Sequence, residues 1–340
     1  MQVGIIGAGN VARFHVNGYI EAGARVAAVA DVDQDKAHSI AKIAGAEVCA
    51  DYRDLLARPD ITAVSICLPN HLHYDAAMAA LRAGKHVLCE KPMTTTLSDA
   101  RKLADEARVS QFCLQVAYMK RFIPAFEIAR TALAEIGNIL SATVKVFHYF
   151  PEHAWALADE RWGLKKDSAG GGPLVHAGSH IIDILNWWFG PVSSVHSRIR
   201  YKPNLDVDDY TAATMITASG VTIFFECGWL PLSHIGYFKD GWDERIEVTG
   251  DQGRVELFST WWDRIDMSPF VRVYKEGEPV REAYSPPTNG FTAEVKAFVQ
   301  ACSNGKKARP DASDGLAVQE VIEALYRSSE RGGFVDVKEL

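Results

Sequence analysis

The chain has 340 residues, 48% hydrophobic and 23% charged, which is enough for two ordinary domains and too apolar for a disordered chain. A net charge of −7 without any Lys/Arg run supplies no electrostatic footprint for nucleic acid or an anionic membrane surface, so neither is expected as a partner. The first residues, Met1-Gln2-Val3-Gly4-Ile5-Ile6, already read as a buried strand and leave no room for a secretion signal. The longest apolar stretch, residues 181–189, is broken by Asp183 and Asn186 and falls far short of the roughly 20 residues a bilayer requires. A cytoplasmic protein is expected. Six cysteines with no CxxC pair read as reduced, buried thiols, with no disulfide framework and no metal.

Residues 3–6, 25–30, 63–68, 86–89 and 112–116 are short β-branched runs separated by amphipathic stretches. Continuous apolar strands alternating with helices predict a doubly wound parallel sheet covered on both faces. After Tyr118 the pattern changes to a helix over 124–135 and then to longer alternating strands over 142–149, 210–217 and 221–229. These predict a C-terminal α+β domain with an open, mostly antiparallel sheet. All eight Trp lie from Trp155 to Trp262, and a Pro-rich link over 285–290 precedes two closing helical segments. The expected division is residues 1–120 for a nucleotide-binding domain and 121–340 for a domain that binds substrate and oligomerises.

The first strand runs into Gly7-Ala8-Gly9-Asn10-Val11-Ala12, the G-x-G-x-x-A form of the Rossmann dinucleotide fingerprint. Gly7 permits the tight turn, Gly9 lets backbone approach a pyrophosphate, and Ala12 lets the helix pack on the sheet; Asn10 and Val11 belong to the same loop. The pyrophosphate would sit at a helix N-terminus, whose dipole favours anions. The second strand ends at Asp31, about 20 residues on, where a carboxylate accepts from ribose hydroxyls and repels a 2′-phosphate. With Asp33 close by and no adjacent Arg, NAD is expected over NADP.

Further along, the chain carries Leu68-Pro69-Asn70-His71-Leu72-His73, Glu90-Lys91-Pro92, Tyr118-Met119-Lys120-Arg121-Phe122, Arg161-Trp162, Gly170-Gly171-Gly172-Pro173 and His180-Ile181-Ile182-Asp183. This combination resembles the Gfo/Idh/MocA family of oxidoreductases, named for glucose-fructose oxidoreductase, inositol dehydrogenase and a rhizopine-catabolism protein, over essentially the whole chain. The resemblance implies that Leu68, Pro69, Asn70 and His73 line the cofactor crevice. It also places Glu90 near the cofactor ribose and Lys91 beside the substrate hydroxyls. Met119, Lys120 and Trp162 are expected on the substrate side.

On a regular helix from Pro173, His176, His180 and Asp183 would share one face. His180, with an ordinary pKa near 6.5, is the candidate base, and Asp183 is placed to orient its ring. Studied relatives carry an Asp four residues before this His, and here the position is His176, so inositol specificity does not transfer. His176 is expected to contact substrate instead. Two His at i and i+4 also invite a metal, but there is no HExxH pattern and no convergent acid. The reading is an NAD-dependent dehydrogenase acting on a sugar, cyclitol or polyol hydroxyl, as a homodimer or homotetramer. A sugar hydrolase or epimerase that recycles bound NAD, and a non-catalytic NAD-binding regulator, are the alternatives.

Overall fold

The computed structural model describes residues 1–158, 160–262, 264 and 267–340. The chain divides into two units, Met1–Met119 with Gly290–Leu316, and Lys120–Asn289 with Ala317–Leu340. Among the described residues no helix is long and apolar enough to cross a membrane.

The first unit begins with β1 (Gln2–Ile6), whose Val3, Ile5 and Ile6 are fully buried. It continues through α1 (Ala12–Glu21), β2 (Arg25–Ala30), α2 (Gln34–Ala44), β3 (Glu47–Cys49), α3 (Tyr52–Ala57) and β4 (Ala63–Ile66). Then come α4 (His73–Arg82), β5 (His86–Cys89), α5 (Leu97–Val109) and β6 (Leu114–Val116). The strands form one parallel sheet in the order β3-β2-β1-β4-β5-β6. The winding reverses between β1 and β4, so the loops after these strands flank the crevice at the carboxyl ends where such sheets take ligands. The sequence missed β3, which has only three residues and none fully buried.

Residues 290–316, assigned by the sequence to the C-terminal domain, lie in the first unit. Their helix, numbered α9 below (Gly290–Ser303), has Phe291, Val295 and Phe298 buried. Phe291 stacks on Phe14 of α1 at 4.9 Å, and Gly18 lies so close that a Cβ there would come within 2.9 Å of Val295. A distant helix supplies the cover for α1, and no local periodicity records that.

The second unit contains α6 (Pro124–Ala132), β7 (Ile139–Tyr149), α7 (Lys166–Ala169), α8 (Ser179–Phe189), β8 (Val192–Tyr201) and β9 (Asp208–Thr217). After these come β10 (Thr222–Leu230), β11 (Trp242–Gly250), β12 (Gly253–Phe258), β13 (Phe270–Lys275) and β14 (Arg281–Tyr284). Helix α9 separates them from α10 (Ala312–Arg331) and β15 (Val335–Asp336). One nine-stranded sheet results, in the order β14-β13-β12-β11-β7-β10-β9-β8-β15, in which β7 and β10 pair in parallel and the other neighbours antiparallel.

Alternation selects the faces. Val144, Val146, Ile223, Phe225, Cys227, Ile246 and Val248 are buried on one side. The other side mixes aromatic with charged residues. Phe147, Tyr210 and Phe224 stand there among Lys145, Glu226, Arg245 and Glu247, with Lys145 pairing to Glu226 at 3.6 Å.

Candidate active site

The nucleotide end of the first unit is built at the close of β1. Gly7 has φ +97°, and a Cβ there would lie 2.5 Å from the Cys67 carbonyl oxygen, so glycine is obligatory. Gly9 is different. A Cβ on it would meet only Cys67 O at 3.7 Å, an ordinary contact, so nothing in the chain itself requires its absence. Ala12 is fully buried and opens α1, whose N-cap Val11 makes no side-chain capping hydrogen bond, which leaves its dipole end for an anion. Asn10 is exposed in the same loop.

Asp31 follows β2 and is tied to this turn. Its Oδ2 accepts from the Ala8 N–H at 2.6 Å and its Oδ1 from the Asp33 N–H at 2.8 Å. Asp33 does not back it up as a second acid: it caps α2, accepting from the Lys36 N–H at 3.2 Å, and pairs with the Lys36 ammonium at 2.8 Å.

After β4 come Leu68, Pro69 and a short 3-10 turn, Asn70–Leu72, with Asn70 buried. His73 is fully buried, with Nδ1 2.8 Å from the Pro92 carbonyl and Nε2 2.8 Å from the Leu68 carbonyl. Burial holds its pKa below the ordinary imidazole range, against those two carbonyls and the charge of Glu90. A neutral ring has one N–H, so His73 donates to one of these two carbonyls while it packs between the loop after β4 and the loop after β5.

Glu90 is also buried. Its Oε1 accepts from His15 Nε2 at 3.0 Å and its Oε2 from the Lys91 N–H at 3.1 Å. His15 Nδ1 meets Ser65 Oγ at 3.0 Å, and Ser65 meets the Tyr19 hydroxyl at 2.8 Å. One direction of donation satisfies the whole chain with a neutral ring: Tyr19 to Ser65, Ser65 to His15, His15 to Glu90. Burial alone would raise the Glu90 pKa, but the hydrogen bond from His15, with the charge of Lys91, holds it below the usual range. Sequence reasoning missed His15, Ser65 and Tyr19. The polar His15 on the buried face of α1 was the available signal. Lys91 is half-buried.

In the second unit, Gly170-Gly171-Gly172 is explained by Asp208. A Cβ on Gly172 would collide with the Asp208 carbonyl, and one on Gly171 with the Tyr326 hydroxyl. The buried Asp208 carboxylate accepts from the Gly172 N–H at 2.7 Å, the Leu174 N–H at 3.0 Å and the Tyr326 hydroxyl at 2.6 Å. Burial raises its pKa against these donors.

The helix it caps opens with a π turn, Leu174–Gly178, before α8. The 3.6-residue spacing that put His176, His180 and Asp183 on one face therefore does not apply from the start. His176 donates from Nε2 to the Gly163 carbonyl at 3.2 Å and lies among aromatic rings, 5.5 Å from Trp229 and 6.2 Å from the exposed Trp162. Phe150 and Trp155 extend this wall, with Phe150 stacked on Trp229 at 4.9 Å. His180 is 9% exposed on the first turn of α8.

Asp183, expected to orient the His180 ring, and Lys120, expected on the substrate side, each meet a charged partner. Asp183 receives a bidentate Arg121, Nε to Oδ2 at 2.8 Å and Nη2 to Oδ1 at 2.6 Å, with the carboxylate 1% exposed. Lys120 is buried, its ammonium 2.6 Å from Glu244 Oε2, which also accepts from Trp242 Nε1 at 2.9 Å. Met119 is buried as well. No local pattern around Glu244 marks it as a partner for Lys120.

A parallel sheet wound in this order, with a glycine cradle and an acid fastened to it, defines an NAD(P)-binding Rossmann domain. Residues 1–118 match the family model described as the oxidoreductase family, NAD-binding Rossmann fold, and residues 131–337 match its C-terminal alpha/beta domain. Inositol 2-dehydrogenase 1 of Saccharopolyspora erythraea is 29% identical, over 99% of this chain and 96% of its own length. D-xylose 1-dehydrogenase (NADP(+)) 2 of Haloferax volcanii is 28% identical, over 99% and 100%. The structure of a levoglucosan dehydrogenase in complex with NADH and levoglucosan shares the fold, with a TM-score of 0.86 at 24% identity over 99% of both chains. The chain belongs to the Gfo/Idh/MocA oxidoreductase family.

The His15 to Glu90 bond has a pH signature. A carboxyl held low in the fold contributes stability that is complete above its unfolded value, about 4.3, and is lost as pH falls through the lower folded value. His15→Leu leaves the charge of Glu90 buried without that donor, at a cost of roughly 3 kcal/mol near neutrality. Urea midpoints from pH 7 to pH 3.5 should show the gap to wild type narrowing as Glu90 takes up its proton. A gap that stays constant counts against the assignment.

Proposed function

We propose that the chain oxidises, reversibly, a hydroxyl-bearing carbon of a sugar, cyclitol or related polyol with NAD. The observation that carries this is Asp31 fastened to the glycine turn. Its carboxylate is oriented by two backbone N–H groups in a site with space beside Gly9, which suits ribose hydroxyls and disfavours a 2′-phosphate. The relatives named for inositol and D-xylose, and the structure holding levoglucosan, support the substrate class.

When bound, the nicotinamide supplies a hydride acceptor. The residues proposed to hold the cofactor are Gly7, Gly9, Asn10, Val11 and Asp31 at the nucleotide end, with Leu68, Pro69, Asn70, Glu90 and Lys91 beyond, and His73 fixing the loops. The Lys91 ammonium stabilises negative charge developing on the alcohol oxygen. His180 takes the alcohol proton. His176 and Trp162 present a polar edge and an aromatic face to a sugar ring. Arg121 holds Asp183, and Glu244 holds Lys120, so these two substrate-side residues act through the packing they fix. The proposed domain roles are nucleotide binding for the first unit and substrate binding for the second.

A cytoplasmic setting fits six cysteines that are all free thiols. The open face of the nine-stranded sheet, with Phe224 half exposed, is proposed as a subunit contact of a dimer or tetramer. Light scattering at micromolar concentration should give twice or four times the chain mass; a monomer contradicts it.

Asp31→Ala should weaken NAD binding and narrow its advantage over NADP, because the acceptor and the repulsive charge leave together. Dissociation constants unchanged for both cofactors would sink the NAD preference. His180→Ala should cost about two to four orders of magnitude in kcat while NAD still binds. His176→Ala should mainly raise KM and leave the pH dependence of kcat in place. Pre-steady-state NADH formation with sugars and cyclitols reads both. An active His180→Ala beside a dead His176→Ala reverses the two roles.

A further inference from the structure

The sequence reading expected six buried thiols, and three are not. Cys67, Cys89 and Cys227 are buried, whereas Cys49, Cys113 and Cys302 are partly exposed. Two of the three come together. Cys113 directly precedes β6, Cys302 lies in the last turn of α9, and His86 opens β5 beside them. One ring nitrogen of His86 and the two sulfurs all lie within 4.8 Å of one another. Strand pairing sets this up: the Val87 N–H donates to the Cys113 carbonyl at 2.8 Å, and the Cys113 N–H donates to His86 Nδ1 at 3.0 Å. The turn after α9 closes it, with the Lys306 N–H donating to the Ala301 carbonyl and the Cys113 thiol donating to the Lys306 carbonyl at 3.2 Å.

This cluster sits at the amino end of β5, whereas Glu90 and Lys91 follow its carboxyl end, about 13 Å away at 3.3 Å per residue. It is separate from the nucleotide crevice. A His-Cys-Cys donor set also suits zinc. The tautomer argues otherwise. An amide N–H only donates, so Nδ1 of His86 must accept and the ring proton stays on Nε2. Metal on Nδ1 strips the Cys113 amide of its partner, and metal on Nε2 moves the proton onto Nδ1 against that amide.

We propose that Cys113 and Cys302 form a peroxide-sensitive thiol pair, with Cys113 the attacking sulfur and Cys302 the resolving one. The neighbours Cys302 and His86, with the Ala308 backbone, lower the Cys113 thiol well below its ordinary range against the effect of burial. The hydrogen bond it shares with Cys113, together with burial, pushes Cys302 up. Burial likewise raises Cys49, the third partly exposed thiol. A thiolate that is accessible and next to a second thiol is the arrangement of a redox-sensing cysteine.

In the first step the Cys113 thiolate attacks hydrogen peroxide. An S–O bond forms, the O–O bond breaks, hydroxide leaves and takes a proton as water, and the sulfur becomes a sulfenic acid. The negative charge that kept Cys302 protonated is then gone. Cys302 loses its proton and attacks the Cys113 sulfur; the S–S bond forms, the S–O bond breaks and a second water leaves. Two thiols and one peroxide give one disulfide and two waters, with two electrons passing from the sulfurs to the peroxide.

The full chain treated with one to five equivalents of hydrogen peroxide, then alkylated and mapped by mass spectrometry, should lose 2 Da and yield a peptide linked through Cys113 and Cys302. Cys49 should remain alkylatable, reacting at least tenfold more slowly. Cys302→Ser should stop at the sulfenic acid, trapped by dimedone on Cys113. The proposal is overturned if Cys49 oxidises first, or if Cys302→Ser gives no dimedone adduct at Cys113. One equivalent of zinc in the isolated protein, lost in Cys113→Ser, also overturns it.

Discussion

Glu90 keeps its charge inside the first unit, and the groups that make this tolerable organise their surroundings. A buried carboxylate without donors costs several kcal/mol. Here His15 donates from α1 and the Lys91 amide from the loop itself, and the line runs on through Ser65 of β4 to Tyr19. The same α1 begins at the glycine turn. The glycine turn and the loop that carries Lys91 are thus referenced to one helix, and His73 packs between the loops after β4 and β5. Pre-organisation of this kind is what a site needs if its charges are to act without first rearranging.

In the second unit, charge is spent on architecture. Lys120 with Glu244, Arg121 with Asp183, and Asp208 with two amides and a tyrosine are all buried or nearly so. Such pairs are weak evidence for net stability, since desolvation offsets most of the attraction. Their loss is nonetheless costly, because the surviving partner is left buried and unpaired. Asp208 shows the use made of this: it satisfies the start of the helical segment that leads through the π turn to His180.

Much of this was legible in the sequence, and the limits are physical. The glycine turn and Asp31 were readable because their function rests on local backbone geometry and on spacing along one strand-turn-helix unit. The strand runs of the first sheet were readable because burial on both faces makes them continuously apolar, and only the three-residue β3 escaped. The roles of Lys120 and Asp183 were not readable. A charged residue in a motif looks the same whether it faces substrate or a partner 124 positions away, as Glu244 is for Lys120. The shared face of His176, His180 and Asp183 was inferred from an α period, and the π turn changes that period at the point where it mattered.

The packing of α9 on α1 bears on how the polypeptide is made. Gly18 sits against Val295, and Phe14 against Phe291, so the cover of the second element of the chain is drawn from its last sixth. At a synthesis rate of about 5–20 residues per second, the stretch from α1 to α9 takes roughly 14 to 55 seconds to emerge. Through that interval the apolar side of α1 stands uncovered, and contacts so far apart in sequence are also slow to form. Residues 1–119 therefore emerge well before the helix that packs on Phe14 and Gly18. A chain interrupted before residue 290 exposes the face of α1 that α9 would have hidden, and it is the kind of intermediate that chaperones bind.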